Sequence, residues 1–80
     1  MPELRYRLHI RQPSLSSFQG EADHRDFVAK NDALAEAVRL LDQRENGTWL
    51  GGVERIEDLA TGEIIEFIEI MAYRAQVRRR

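Results

Sequence analysis

The chain has 80 residues, of which 42% are hydrophobic and 32% are charged, a composition typical of one small globular domain spanning residues 1–80. No segment approaches the ~20 apolar residues that a membrane-spanning helix needs, and the net charge of −2 implies no general attraction to nucleic acid or membranes. The chain lacks cysteine and its first residues lack a signal peptide's apolar run, so we expect a cytoplasmic protein. Lys30 is the only lysine among 12 basic residues, and this arginine bias predicts a bacterial source.

The first predicted element is a β-strand over about residues 3–11, which ends before Pro13. Its residues alternate between apolar and polar, and a period of two indicates one buried face and one solvated face. The buried set is Leu4, Tyr6, Leu8 and Ile10. The solvated set, which we call the arginine stripe, is Arg5, Arg7, His9 and Arg11.

A polar, turn-rich segment over residues 14–20 follows, with Leu15 and Phe18 as its only apolar anchors. It predicts a loop, or a short irregular strand that ends at Gly20. The charged residues 21–26 then lead to a short apolar run over 27–29, which is either the end of a second strand or the lead-in to a helix.

A helix is predicted over about residues 32–46, with Asn31 or Asp32 as its cap and Gly47 as its stop. Its apolar residues recur at the spacing of one helical face. That face consists of Leu34, Ala37, Val38 and Leu41, widened by Ala33 and Leu40.

Two further strands are predicted over residues 53–59 and 63–71, joined by a turn at 60–62. The second of these is rich in β-branched residues and apolar on both faces, as a central strand would be. The alternative is a helix over residues 66–77, because the apolar residues there also fit a helical period. We favour the strand to about residue 72, with a frayed basic tail over about 74–80.

These elements predict an α+β fold in which a single helix packs on a mostly antiparallel sheet of three to four strands, in the order β-β-α-β-β. The helix covers only one face of that sheet. The other face would need a second subunit or the 14–27 segment as cover. The predicted core is Leu4, Tyr6, Leu8, Ile10, Leu34, Val38, Leu41, Ile65 and Phe67.

The arginine stripe has two possible roles. Carboxylates of the C-terminal hairpin would stabilise it by ~0.2–1 kcal/mol per directly opposed pair. Those carboxylates are Glu54, Glu57, Asp58, Glu63, Glu66 and Glu69. Binding of RNA or phosphate is the alternative, but single-strand binders interleave aromatic residues for base stacking, and Tyr6 falls on the apolar face. The ion-pair role is therefore favoured.

No pattern indicates catalysis, a cofactor or a metal. Ser14, Ser16 and Ser17 lack the glycines of a nucleophile elbow, and Glu66 and Glu69 would point to opposite faces of a strand. A solvated loop histidine is the favoured interpretation of His24, because acidic neighbours alone make only a fragment of a metal site. We therefore expect no enzymatic activity, no cofactor and no metal site.

Trp49 follows the helix stop in a glycine-bounded segment, where it either closes the open end of the core or forms part of an interface. The candidate interaction surface is Trp49, Arg5, Arg7, His9, Ile68 and Ile70. The expected partner is a second copy of the chain, through the apolar hairpin and Trp49, or another protein. The alternative is a nucleic-acid-associated or antitoxin-like regulator that uses the arginine stripe and the basic residues 78–80.

The element order also carries a resemblance. An alternating strand over 5–10, the apolar run 27–29, an alanine-rich helix over 33–37 and a hairpin over 56–65 together resemble a family of small bacterial proteins of unknown function. The passage from strand to helix is similar to antitoxins with a HicB-like fold. These resemblances imply an α+β fold and, for the second, a regulatory role, and neither carries catalytic residues onto this chain.

Overall fold

The computed structural model describes residues 3–79, which form a four-stranded antiparallel sheet and two helices. The strands lie side by side in the order β2-β1-β3-β4. An α+β fold with an antiparallel sheet is therefore confirmed, and the prediction of a single helix is wrong. The elements are β1 (Tyr6–Gln12), β2 (Glu21–Phe27), α1 (Lys30–Glu45), β3 (Gly52–Asp58), β4 (Ile64–Ile65) and α2 (Phe67–Arg78).

β1 is a central strand of the sheet, as its alternating sequence predicts. Leu8 lies between Arg25 of β2 and Ile56 of β3, and both Leu8 and Ile56 are fully buried. The register with β3 shifts between His9 and Ile10, which leaves Glu54 as an additional residue in a bulge. The core therefore lies between the sheet face that carries Leu8 and the two helices.

α1 begins at Lys30, two residues earlier than predicted, and neither Asn31 nor Asp32 is its cap residue. Gly47 has a φ of +81° just beyond the end of α1, which confirms the predicted stop. Five residues of α1 are buried on the face toward the sheet: Ala33, Leu34, Ala37, Leu40 and Leu41. The predicted Val38 is only half-buried, whereas Leu40 is almost fully buried.

The predicted strand over 63–71 is correct only for Ile64–Ile65, and the helical alternative over 66–77 is correct for the residues that follow. Pairing with β3 stops after Ile65, and α2 begins at Phe67. The Glu69 carboxylate accepts a hydrogen bond of 3.2 Å from the backbone N–H of Glu66, a contact that the three-residue spacing of the two glutamates makes possible at a helix start. Of the β-branched residues that indicate a strand, Ile64 and Ile65 form β4, whereas Ile68 and Ile70 lie on α2.

α2 packs on the same face of the sheet as α1, since its Ile70 is fully buried in the core. Phe67 and Leu4 were both expected in the core but lie at the surface, with 42% and 57% of their area exposed. The 14–27 segment does not fold across the sheet, because residues 21–27 form a strand of the sheet itself. In residues 3–79 no helix is long and apolar enough to cross a membrane.

The predicted basic tail from residue 74 differs from the structure. Residues 74–78 belong to α2, and Arg74 is buried, with its guanidinium bonded to Asp42 and Glu45 of α1. These contacts fix the end of α2 against α1. Arg80, the last residue of the predicted tail, lies outside the described residues.

Candidate functional site

Three members of the arginine stripe, Arg7, His9 and Arg11, lie on the sheet face opposite the helices and meet carboxylates on both neighbouring strands. Arg7 donates two hydrogen bonds to Asp26 of β2, at 2.9 and 3.1 Å. On the other side, His9 lies 3.0 Å from Glu57 of β3. The last member of the stripe is the loosest, because Arg11 Nε is 3.5 Å from the carboxylate of the bulge residue Glu54.

Arg5, just before β1, is bonded to the turn after β3. Its guanidinium donates two hydrogen bonds to the buried Asp58, at 3.0 and 2.9 Å, and lies over the Tyr6 ring. The Asp58 carboxylate also accepts a 2.9 Å bond from the N–H of Ala60. The hydrogen bonds from Arg5 hold the pKa of Asp58 well below its ordinary range. Arg5 and Asp58 thus fix the turn that leads to β4.

Three of the six hairpin carboxylates offered as partners of the stripe are its ion-pair partners in residues 3–79: Glu54, Glu57 and Asp58. Asp26 was not among the six, because its position opposite Arg7 depends on how β2 pairs with β1. The hydrogen bond from Arg7 lowers the pKa of Asp26. The stripe therefore lies within a mixed-charge surface on the outer face of the sheet.

Trp49 is half-buried at the end of the sheet where β1 ends and β3 begins. Its ring packs against the core, and its indole Nε1 donates a 3.1 Å hydrogen bond to the side-chain oxygen of Gln12. A Cβ atom on Gly51 would overlap both the Trp49 ring and the carbonyl oxygen of Arg11. Glycine at position 51 thus leaves room for the Trp49 ring, which packs against this end of the core.

A groove of ≈ 400 Å³ opens beside Trp49, between the β1–β2 loop and the segment that enters β3. Phe18 and Leu50 line it and are among the most exposed apolar side chains of the protein. Arg11 and Arg44 also line it. We call this feature the loop-end groove and define it by Phe18, Leu50, Arg11 and Arg44.

Arg44 carries the positive charge of the loop-end groove. It donates a 2.5 Å hydrogen bond to the backbone carbonyl of Gly51. Arg11 has Glu54 nearby, whereas in the described part of the chain Arg44 has no carboxylate within ion-pair distance. The charge of Arg44 therefore remains available to a ligand.

The sequence-predicted interaction surface is not a single patch. Ile70 is buried in the core, whereas Ile68 is 77% exposed on α2. Trp49 and the arginine stripe lie elsewhere, on the end and the outer face of the sheet. The prediction of a dimer through the hairpin depends on a strand over 63–71 that is apolar on both faces and on a sheet covered by one helix. Neither condition holds, because Phe67–Arg78 form a second helix.

Sequence reasoning missed Phe18, Leu50 and the fully exposed Leu15 as surface residues. The available signal was the presence of large apolar residues in a polar, turn-rich loop. Both Leu15 and Phe18 lie in the loop between β1 and β2, and neither belongs to the buried core or packs against it. Large apolar residues in such a loop indicate a surface that contacts another molecule, rather than residues that hold the loop on the core.

The groups considered for chemistry are dispersed. His24 lies 4.0 Å from Asp26 on the outer face, and residues 3–79 hold no group of three potential ligands that could bind a metal ion. Ser14 donates to Glu21 at 3.2 Å in an exposed loop. Glu66 and Glu69 meet at the start of α2, where they act in helix formation.

Comparisons of the chain with protein-family models, with curated proteins and with solved structures each found no match. The resemblances to small bacterial proteins and to HicB-like antitoxins therefore stay predictions.

Proposed function

We propose that the protein is a non-catalytic interaction module that binds a partner protein at the loop-end groove. The observation that carries this proposal is the exposure of two large apolar side chains, Phe18 and Leu50, that line one groove at this end of the sheet. Ten other apolar residues of this small domain are buried. Contiguous exposed apolar surface is unusual on a monomer and marks interaction sites. Burying these two side chains against a partner would remove their contact with water.

The charges of the groove indicate what the partner presents. Phe18 and Leu50 favour an apolar side chain, while Arg44 beside them favours a carboxylate. Arg44 is already oriented by its bond to Gly51, so less side-chain entropy is lost when it binds an acid. The partner we propose is a protein segment with a large apolar residue next to an aspartate or glutamate.

Nucleic-acid binding by the arginine stripe has weaker support. Each of the four stripe residues lies within 3.5 Å of a carboxylate. A phosphate would have to displace these carboxylates, and Tyr6 projects toward the helices, where it cannot stack on bases. The stripe is thus better suited to holding neighbouring strands together than to binding a polyanion.

The test is a selection of linear peptides displayed on phage against the purified protein. We expect recovered sequences to combine a large apolar residue with an adjacent acid. A synthetic peptide of that sequence should bind the double variant Phe18→Ser, Leu50→Ser at least tenfold more weakly. Arg44→Gln should weaken acidic peptides more than their amide analogues.

The matched control is Ile68→Ser, which removes from α2 an apolar side chain that is as exposed as Leu50. This variant should bind the selected peptide as the wild type does. The proposal is overturned if no peptide is recovered, or if Ile68→Ser abolishes binding while the groove variants retain it. Circular dichroism of each variant confirms that the fold is intact.

A further inference from the structure

We infer that two copies of this chain associate through the outer edge of β2, in an antiparallel pairing centred on His24. β2 is the edge strand of the sheet, and seven of its residues pair with β1 on one side. Its other side has no neighbouring strand in residues 3–79. Backbone N–H and C=O groups alternate along such an edge and can pair with another strand. The opposite edge, β4, has only two residues, so β2 offers much the longer template.

Symmetry limits the register of such a dimer to a few possibilities. A two-fold axis perpendicular to the sheet keeps both copies' helices on one side of the extended sheet. Residues opposite each other must then point to the same face, so the axis has to pass midway between one residue and its own copy. We call the residue that lies opposite its own copy the centre of the pairing.

Among the centres that pair at least three residues of β2 with the partner's β2, only one avoids opposing like charges. With His24 opposite its own copy, all seven residues are paired, and Asp23 lies opposite the partner's Arg25 at two equivalent positions. A centre at Asp23, Arg25 or Asp26 would place that charged residue opposite itself. A centre at Ala22 would place Glu21 opposite the partner's Asp23. The sequence of β2 is therefore self-complementary in charge about His24.

The surroundings of Asp23 and Arg25 favour this arrangement. Both residues lie on the face that carries Ile10 and Leu8, because those are their partners in β1. Arg25 is bonded there to Glu36 of α1, which holds the guanidinium on that face of β2. The partner's Asp23 would extend this pair into a chain of alternating charges.

The backbone N–H of His24, at the centre of the proposed pairing, can change its hydrogen-bond acceptor. The backbone N–H of His24 donates a 2.8 Å hydrogen bond to the carboxylate of Asp23, within its own strand. In the dimer that N–H would instead donate to the partner's backbone carbonyl. The carboxylate, released from the N–H, would accept from the partner's Arg25. Each copy exchanges one internal bond for two intermolecular ones.

The register is tested by single-cysteine crosslinking, since the natural chain has no cysteine. The variant His24→Cys places two sulfurs across the two-fold axis, where opposed Cα atoms are about 4.5–5.5 Å apart, within reach of a disulfide. The control Ala22→Cys lies on the same face, but its two sulfurs would be separated by four residues, roughly 13 Å. Under mild oxidation we expect His24→Cys to crosslink at least tenfold faster.

A mixture of two variants sharpens the test. Ala22→Cys and Asp26→Cys are opposite each other in the His24-centred register, so the mixture should form a heterodimeric disulfide that neither variant forms alone. Light scattering at about 100 µM should give a dimer mass for the wild type and a monomer mass for Asp23→Arg. Glu63→Arg, a charge reversal away from β2, should leave the dimer intact.

A strictly monomeric wild type at that concentration overturns the inference. A dimer that crosslinks equally well through Ala22→Cys and His24→Cys overturns it as well, because that dimer would use another register or another surface. The inference does not depend on the loop-end groove, and a failure of peptide binding there leaves the crosslinking result unchanged.

Discussion

Arg74 on α2 donates two hydrogen bonds to Asp42 on α1, at 3.0 and 2.8 Å, although only 8% of the arginine is exposed. Glu45, one helical turn further along α1, binds the same guanidinium. Arg78 binds the same two carboxylates from a solvent-exposed position. Two arginines of one helix thus share one pair of acids, and they differ mainly in burial.

That difference gives the first prediction. Arg74→Ala removes buried packing as well as charge, and we expect it to lower the free energy of unfolding by about 1–3 kcal/mol. Arg78→Ala removes an exposed ion pair and should cost about 0–1 kcal/mol. Urea unfolding of both variants measures the two values. Equal costs would contradict the role of Arg74 in fixing α2 on α1.

The second prediction concerns the apolar face of α1. Leu34 and Leu41 are both 7% exposed, and changing either to alanine should cost ~2–4 kcal/mol of unfolding free energy, because the cavity adds to the loss of burial. Val38→Ala, at a half-buried position of the same helix, should cost less than either. Thermal or urea unfolding measures the order. If Leu34→Ala and Leu41→Ala unfold like the wild type, the conclusion that this face of α1 packs on the sheet is contradicted.

The third prediction rests on the glycine pair that leads into β3. Gly51→Ala places a Cβ against the Trp49 ring and the Arg11 backbone, and we expect a loss of about 1–3 kcal/mol and a shift in tryptophan emission. Gly52→Ala is the matched control, because open space surrounds its Cβ position and its φ is not positive. That control should leave the emission unchanged. A well-tolerated Gly51→Ala would mean that Trp49 does not pack across this backbone.

The fourth prediction is a dependence of stability on pH. Arg5 lowers the pKa of Asp58, and Arg7 lowers that of Asp26. A carboxyl group with a lowered pKa in the folded state stabilises the protein above its ordinary pKa of ~3.9, and this contribution is lost as the pH falls through the folded value. The double variant Arg5→Gln, Arg7→Gln should therefore be less stable than wild type at pH 7, and the difference should narrow below about pH 4.

Urea unfolding at pH 7 and at about pH 2.5 compares the two proteins. A difference in unfolding free energy that stays constant with pH would mean that these arginines do not act through the carboxylates.

The same double variant tests nucleic-acid binding by the stripe. We expect it to leave any affinity for mixed oligonucleotides unchanged, whereas micromolar binding that weakens steeply with salt and disappears in the variant would favour the nucleic-acid hypothesis.

The parts of the fold that follow from local pattern could be predicted from the sequence. β1 alternates with a strict period of two, and most of the buried residues of α1 recur at helical spacing. The segment from Ile64 onward could not be assigned in this way, because its apolar residues fit both periods. Its structure depends on contacts between distant residues, above all the bonds from Arg74 to Asp42.

The candidate site was predictable only in part, for a similar reason. The alternation in β1 indicates that Arg5 and Arg7 are exposed, but their partners depend on how three strands align. Trp49 was recognised as a closing or binding residue, yet its bond to Gln12 joins residues 37 positions apart. The groove itself is formed by two loops that meet only in the folded chain.

The most direct test of the proposed binding surface is amide chemical-shift mapping during titration with the peptide selected on the wild-type protein. We predict that the shifts concentrate in residues 13–20 and 48–52 and in the last turn of α1, around Arg44. The outer face of the sheet and the exposed side of α2 around Ile68 should remain unchanged. Shifts that concentrate on the arginine stripe or around Ile68, with none near Phe18 and Leu50, would contradict the loop-end groove as the site of interaction.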